Sequence, residues 1–228
     1  MVKRACIVFI LLLPLLIMGK GKDEECDIKK LLDSMQKFQE KIETLKVSFV
    51  QVNDFEMLKK PEVLKGEIYI KKPSTALYLY QAPEKLYYLI KDGELMVYNP
   101  KKKEANVQDI SRYQNKIMKY MGVSTPFAEL EKKFDVKFVD KEGDIVHLSF
   151  TPQKKSMAKR LASLEFWVNE KDNTIRAMEI AEPEGDKVKF EFSNWDINAK
   201  FDQKVFDIDL PKGTKVKREK GSLKNPGE

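Results

Sequence analysis

From Gly66 to Pro100 the chain alternates apolar and polar residues in short runs. Gly66–Pro73 reads G-E-I-Y-I-K-K-P, Ala76–Pro83 reads A-L-Y-L-Y-Q-A-P, and Leu86–Pro100 reads L-Y-Y-L-I-K-D-G-E-L-M-V-Y-N-P. A period of two puts every second side chain on one face, so these runs predict strands of a sheet with one apolar side. Asp92-Gly93 is a hairpin turn signal, and Pro73 and Pro83 fall at strand ends, where a missing N–H is tolerated. The same alternation predicts strands over Val47–Val52, Leu64–Lys72, Glu104–Asp109, Val136–Val139, Asp144–Thr151, Leu161–Val168, Thr174–Ala181 and Lys187–Trp195, with a short last segment over Phe206–Leu210. Helical spacing occurs before them: Asp27 can cap a helix with apolar positions Ile28, Leu31, Leu32, Met35, Phe38, Ile42 and Leu45. Two short helices are expected in the middle, one within Arg112–Met121 and one opened by Ser124-Thr125-Pro126. The fold class is mainly β with helices (α+β). About ten or eleven short antiparallel strands make a sheet too long to stay flat. It curls, and the helices cover its concave face. Read from the residues alone, the same apolar faces also suit the core of a closed barrel or sandwich.

Composition narrows the function classes. The chain opens with Met1-Val2-Lys3-Arg4, an apolar run from Ala5 to Met18, and Gly19-Lys20-Gly21. That is a signal peptide over residues 1–21, with the apolar run too short for a comfortable membrane span. The domain expected to follow is residues 22–211, with a basic tail over 212–228 carrying Lys212, Lys215, Lys217, Arg218, Lys220 and Lys224. This tail reads as a solvated end, or as a dock for an anionic membrane surface or an acidic partner. Removing the leader lowers the formal charge from +6 to about +3, with lysines and glutamates interspersed, which is not a nucleic-acid footprint. Cys6 leaves with the leader, so Cys26 has no disulfide partner. The charged residues Lys22-Asp23-Glu24-Glu25 before Cys26 do not form a lipidation site, which points to a free, soluble protein. His147 stands alone, on the face opposite Leu148 and Phe150, and no ligand spacing, nucleophile motif or phosphate loop accompanies it. No cofactor and no enzymatic activity are expected. Trp167 and Trp195 fall off the apolar faces.

Several motifs recur in a familiar order: Ser48-Phe49-Val50-Gln51 after the first helix, Gly66-x-Ile68-Tyr69-Ile70-Lys71-Lys72-Pro73, the aromatic strand ending in Gln81-Ala82-Pro83, and Asp92-Gly93 leading to Tyr98-Asn99-Pro100. Thr125-Pro126-Phe127, Phe150-Thr151-Pro152 and Phe206 followed by Pro211 complete the set. In this order and spacing the chain resembles the periplasmic outer-membrane lipoprotein carrier family, LolA. The resemblance implies an unclosed β half-barrel capped by helices. It implies a carrier that accepts acylated lipoproteins from an inner-membrane ABC transporter, shields their acyl chains across the periplasm, and passes them to an outer-membrane receptor. It also implies a monomer without nucleic-acid partners. The related alternatives are a carrier of another amphiphile, or a regulator of the RseB type sensing lipid or lipoprotein with the same half-barrel. By resemblance, the cavity is lined by Phe49, Ile68, Ile70, Ala76, Tyr78, Tyr80, Tyr88, Ile90, Met96, Tyr98, Leu148, Phe150, Leu164, Phe166, Phe190 and Phe192. Met118, Met121, Phe127 and Leu130 belong to the lid. The family has Arg just before the first proline, as a latch for the lid; here that position is Lys72, which keeps the charge and loses the planar fork of donors.

Overall fold

The computed structural model describes residues 27–219 apart from 82, 84, 116, 117 and 119–126. The expected signal peptide, Cys26 and Met121 lie outside the described residues. Twelve strands form one sheet: β1 (Thr44–Asp54), β2 (Glu62–Lys71), β3 (Thr75–Tyr80), β4 (Leu86–Lys91), β5 (Glu94–Asn99), β6 (Glu104–Asp109), β7 (Phe134–Glu142), β8 (Ile145–Pro152), β9 (Ser163–Asn169), β10 (Ile175–Ala181), β11 (Lys187–Ile197) and β12 (Lys215–Glu219). Their spatial order is β12-β6-β5-β4-β3-β2-β1-β11-β10-β9-β8-β7, so β12 and β7 are the two edges and the sheet is open. It is a half-barrel, antiparallel except where β12 runs parallel to β6. At the β4–β5 hairpin, Asp92 and Gly93 both take positive φ (51° and 84°), as a tight two-residue turn requires, and Ile90 lies opposite Leu95.

Residues directly opposite one another share a face. Ile68, Tyr78, Tyr88 and Val97 therefore form one cross-strand row, and Phe138, Leu148, Phe166, Met178 and Phe190 form another. These rows lie on the side that carries the main core. Among the described residues no second sheet faces it, and helical segments cover it instead. Helix α1 (Ile28–Glu40) is capped by the Asp27 carboxylate, which accepts from the Lys30 N–H at 3.0 Å, and it buries Leu31, Leu32 and Met35. Helix α2 (Phe127–Leu130) packs beside α1 and adds Phe127 and Leu130 to the same cluster, with Met118. A further helical turn, α3 (Lys155–Ala158), joins β8 to β9.

The opposite, convex face has a core of its own. After β11 the chain crosses behind the sheet. Phe201, Val205, Phe206 and Ile208 pack on Tyr69 of β2, Leu77 and Leu79 of β3, Tyr87 and Leu89 of β4 and Met96 of β5. Phe206 sits in a 3₁₀ turn (Gln203–Phe206) and is 3% exposed, and Lys91 pairs with Asp207 at 2.7 Å.

Three expectations change. The helical spacing continues on paper to Leu45, but α1 stops at Glu40 and Leu45 is already in β1, because Leu45 can be buried equally well by a strand. The Phe206–Leu210 segment is not a strand of the sheet; it is part of the convex-face crossing. The basic stretch expected to be a solvated end instead supplies β12 at Lys215–Glu219, the twelfth strand. All five of its side chains are exposed, so it has no hydrophobic signature to reveal it. Phe206→Ala is expected to lower global stability by about 3 kcal/mol, the usual cost of emptying a buried aromatic site, with urea unfolding as the readout.

Candidate functional site

The concave face changes character along its strands. At the end where α1 leads into β1, Leu45, Val47, Ile68, Ile70, Ala76 and Ile90 are no more than 2% exposed. In the row that holds Ile68, the tyrosines Tyr78 and Tyr88 are only half-buried, and farther along the strands so are Tyr80, Leu164 and Phe190, whereas Phe150, opposite Leu164, is fully buried against Phe127. The face is sealed where α1 leads into β1 and under Phe127, and it is half-open as a cleft over the tyrosines of β3 and β4 and over Phe190.

Aromatic rings line the cleft as a continuous band. Tyr88 meets Tyr80 at 5.7 Å between centroids, Tyr80 meets Phe49 at 5.1 Å edge-on, and Phe49 meets Phe190 at 5.9 Å. Phe190 stacks parallel to Phe192 at 6.1 Å, and Phe192 meets Trp195 at 6.0 Å. These separations lie within the range favoured by aromatic pairs. Gly66 makes the central contact possible. It lies opposite Phe49 on one side and Tyr80 on the other, and a Cβ there would stand 2.6 Å from the Phe49 ring and 2.4 Å from the Leu79 carbonyl oxygen. The missing side chain leaves room for the Phe49 ring. Across the cleft, Phe127 of α2 meets Phe166 at 5.5 Å, and Phe166 meets Phe150 at 5.1 Å.

The polar groups on this face are few and neutral at their phenols. Burial is the main reason that the Tyr80 phenol is pushed up to about 12, with Tyr88 adding to it, and burial also pushes Tyr78 well upward. The Tyr80 hydroxyl donates to Gln51 Oε1 at 2.7 Å. Lys72 closes the sealed end. Its ammonium donates to the backbone carbonyl of Gln39, in the last turn of α1, where unsatisfied carbonyls and the helix dipole favour a cation. Burial lowers the Lys72 pKa, against the opposing influence of Glu43 and Glu40. At the middle of the helix the Ser34 hydroxyl donates to the side-chain oxygen of Asn173, in the β9–β10 turn, at 2.5 Å. Helix α1 thus bridges the two halves of the open sheet.

Of the expected cavity residues, Phe49, Ile68, Ile70, Ala76, Tyr78, Tyr80, Ile90, Leu148, Phe150, Leu164, Phe166, Phe190 and Phe192 gather on the concave face, with Met118, Phe127 and Leu130 over it. Tyr88 joins them through its register with Tyr78. Met96 and Tyr98 do not. The two-residue turn sets Leu95 opposite Ile90, so Leu95 points inward. Met96 belongs to the convex cluster, and Tyr98 lies against Tyr87, also on that side. The alternation within β5 is legible in the sequence; its phase depends on the turn. Trp195 is the converse. Between Ser193 and Asp196, β11 has one residue more than β1 has between Lys46 and Ser48, and Asn194 absorbs it at φ 53°. This bulge reverses the alternation and turns Trp195 into the concave cluster. Its indole N–H is buried without a hydrogen-bond partner among the described residues. Trp167 stays convex, stacked on His147 at 4.3 Å, and His147 Nε2 lies 3.1 Å from Glu165.

Two outcomes test this geometry. Gly66→Ala is expected to cost about 1–3 kcal/mol through overpacking of Phe49, read as a lowered urea midpoint. Lys72→Met is expected to speed amide exchange in α1 on the order of tenfold, from loss of a charged hydrogen bond, while exchange in β8 and β9 is unchanged. Equal acceleration throughout would mean that Lys72 supports the whole fold rather than the helix.

Comparison with known proteins agrees with this architecture. The fold matches an uncharacterized conserved protein from Thermus thermophilus at a TM-score of 0.54 and 13% identity, covering 84% of this chain and 98% of that one. It matches MucB at 0.51 and 12%, covering 84% of this chain and 65% of that one. A LolA superfamily protein from Nitrosomonas europaea aligns at 0.38 and 11%, covering 78% and 96%. No curated protein matches the sequence. The family model for the outer membrane lipoprotein carrier protein LolA matches residues 40–209, and the chain belongs to that family.

Proposed function

We propose that this protein is a periplasmic carrier that shields the acyl chains of lipoproteins between the inner and outer membranes. The reading places residues 1–21 as the export signal. It names an inner-membrane ABC transporter as the donor of cargo and an outer-membrane receptor as its acceptor. The observation that carries it is the half-open aromatic cleft, on a chain of the LolA family. Apolar cargo is the guest such a surface favours, because each methylene withdrawn from water contributes about 0.8 kcal/mol. With several acyl chains, that sum alone would make release slow. The covering segment answers this. Phe127, Leu130 and Met118 already occupy part of the concave face, so a guest displaces protein contacts as it enters and regains less than its full transfer energy. The flexible thioether of Met118 accommodates such repacking.

The site acts by binding and release, with half-buried neutral phenols as its polar groups. A charge placed in the band opposes an acyl chain directly, since an ion there loses hydration without gaining a partner. Tyr78→Glu is therefore expected to abolish loading of a triacylated lipopeptide while leaving the sheet folded, measured by native mass spectrometry alongside circular dichroism. Normal loading by this variant would remove Tyr78 from the cleft. Protein purified from the periplasm is expected to carry one acylated lipoprotein. Protein that stays empty when offered acylated ligands would overturn the carrier reading.

A further inference from the structure

The two ends of the sheet treat charge differently. At the end that holds Lys72, charged side chains are paired: Lys171 meets Asp144 at 2.8 Å, Arg176 meets Asp172 at 2.6 Å, Lys141 meets Glu170 at 2.7 Å and Arg218 meets Glu94 at 2.7 Å. At the other end β1 stops at Asp54, β2 starts at Glu62, β3 stops at Tyr80, β4 starts at Leu86, β5 stops at Asn99 and β6 starts at Glu104. The three connections between these strands carry Lys59, Lys60, Lys85, Lys101, Lys102 and Lys103. All six are exposed, and none has an ion-pair partner among the described residues. The described acids beside them, Asp54, Glu56, Glu62 and Glu104, form no ion pair either, and the lysines outnumber them. The basic edge ends at the β10–β11 turn with its Glu182, Glu184 and Asp186, where Asp186 accepts the Glu56 N–H at 2.7 Å.

The same edge is apolar at its tip. Three of the five large apolar side chains exposed among the described residues belong to the β1–β2 hairpin: Met57 at 87%, Val63 at 54% and Leu58 at 39%. With Phe55 and Pro61, Leu58 and Val63 surround a shallow hollow that Lys60 and Glu62 also border. The Leu58 N–H donates to the Phe55 carbonyl at 2.8 Å, closing a turn that holds Met57. β2 pairs with β3 only from Gly66 onward, so the hairpin stands past the end of β3 by Glu62–Lys65 and the connection beyond, about 13 Å at the rise of a strand. An acidic protein face would pair charges one by one. Lysines on long stems from three separate connections suit mobile phosphates instead, and apolar side chains beside them suit the boundary between lipid heads and acyl chains.

We infer that this edge docks on an anionic phospholipid bilayer, with Met57 and Leu58 at the acyl boundary and the lysines of the three connections among the lipid phosphates. The inference concerns the protein's own contact with a membrane and stands apart from the carrier reading. Docking in this way places the Tyr80 end of the aromatic band nearest the bilayer, since Tyr80 is the last residue of β3.

The test is co-sedimentation of the mature protein with vesicles of phosphatidylcholine, alone or mixed with phosphatidylglycerol. Wild type is expected to bind the mixed vesicles, and to lose that binding as salt screens the lysines. Met57→Glu is expected to weaken binding about tenfold, through loss of apolar insertion. Joint substitution of Lys101, Lys102 and Lys103 by Gln is expected to weaken it on the order of a hundredfold, since each lysine near an anionic surface is worth about fivefold. Lys171→Gln, at the opposite end, is expected to bind as the wild type does. Diphenylhexatriene binding, which reports the apolar cleft, is expected to be unchanged in every variant and serves as the folding control. Mixed-vesicle binding that neither Met57→Glu nor the lysine variant weakens overturns the inference. So does wild-type protein that ignores both vesicles; retention of that protein on polyglutamate, lost in the lysine variant, would assign the edge to an acidic protein partner.

Discussion

An open sheet with one apolar face has to hide that face without a second sheet to do it. Closing the barrel would fill the interior with side chains, and stacking another sheet would seal it. This chain does neither, and everything else in the structure follows from how the concave face is partly covered. The cover is set by α1, whose middle meets Asn173 through Ser34 and whose last turn accepts from the Lys72 ammonium. Because these attachments lie on opposite halves of the sheet, the helix fixes the curvature as well as the cover. What α1 and the segment of Phe127 and Leu130 leave uncovered is the aromatic end.

Much of this is legible in the sequence. The strands from β1 to β11 follow from period-two alternation and turn residues, and α1 from its capping Asp27 and its apolar stripe. The open curl and the family come from ordered motifs, since alternation alone cannot tell a cleft from a closed core. The failures have local causes. Counting along β5 without the hairpin puts Met96 and Tyr98 inside, although a two-residue turn forces Ile90 and Leu95 to the same side. Unbroken alternation puts Trp195 outside, and a single inserted residue near Asn194 reverses it. Neither error concerns residue type. Both concern phase, which a strand inherits from its neighbours.

Lys72 and β12 show two other limits. The lysine before Pro73 stands where the resemblance implies a latch for the lid; in the structure its ammonium meets a helix-end carbonyl of α1. A single ammonium serves a single carbonyl well, so the absence of a planar fork of donors matters less there than it would in a site with several acceptors. β12 has no apolar face at all. Its place depends on backbone bonds to β6 and on Arg218, which meets Glu94 at 2.7 Å. Alternation of polarity cannot announce a strand whose every side chain faces water.

The crossing of Phe201 to Ile208 behind β2–β5 makes the two wings of the half-barrel mechanically unequal. One wing is braced front and back, like a plank with a batten. The other, from β7 to β10, has no chain segment packed in that way behind it among the described residues, and its outer surface holds a histidine–indole stack instead. Bending stiffness rises steeply with the thickness of a bonded layer, so any change in the width of the cleft is concentrated in the unbraced wing. The tyrosines of β3 and β4 then act as a fixed wall, and Leu164, Phe166 and Met178 as the wall that yields.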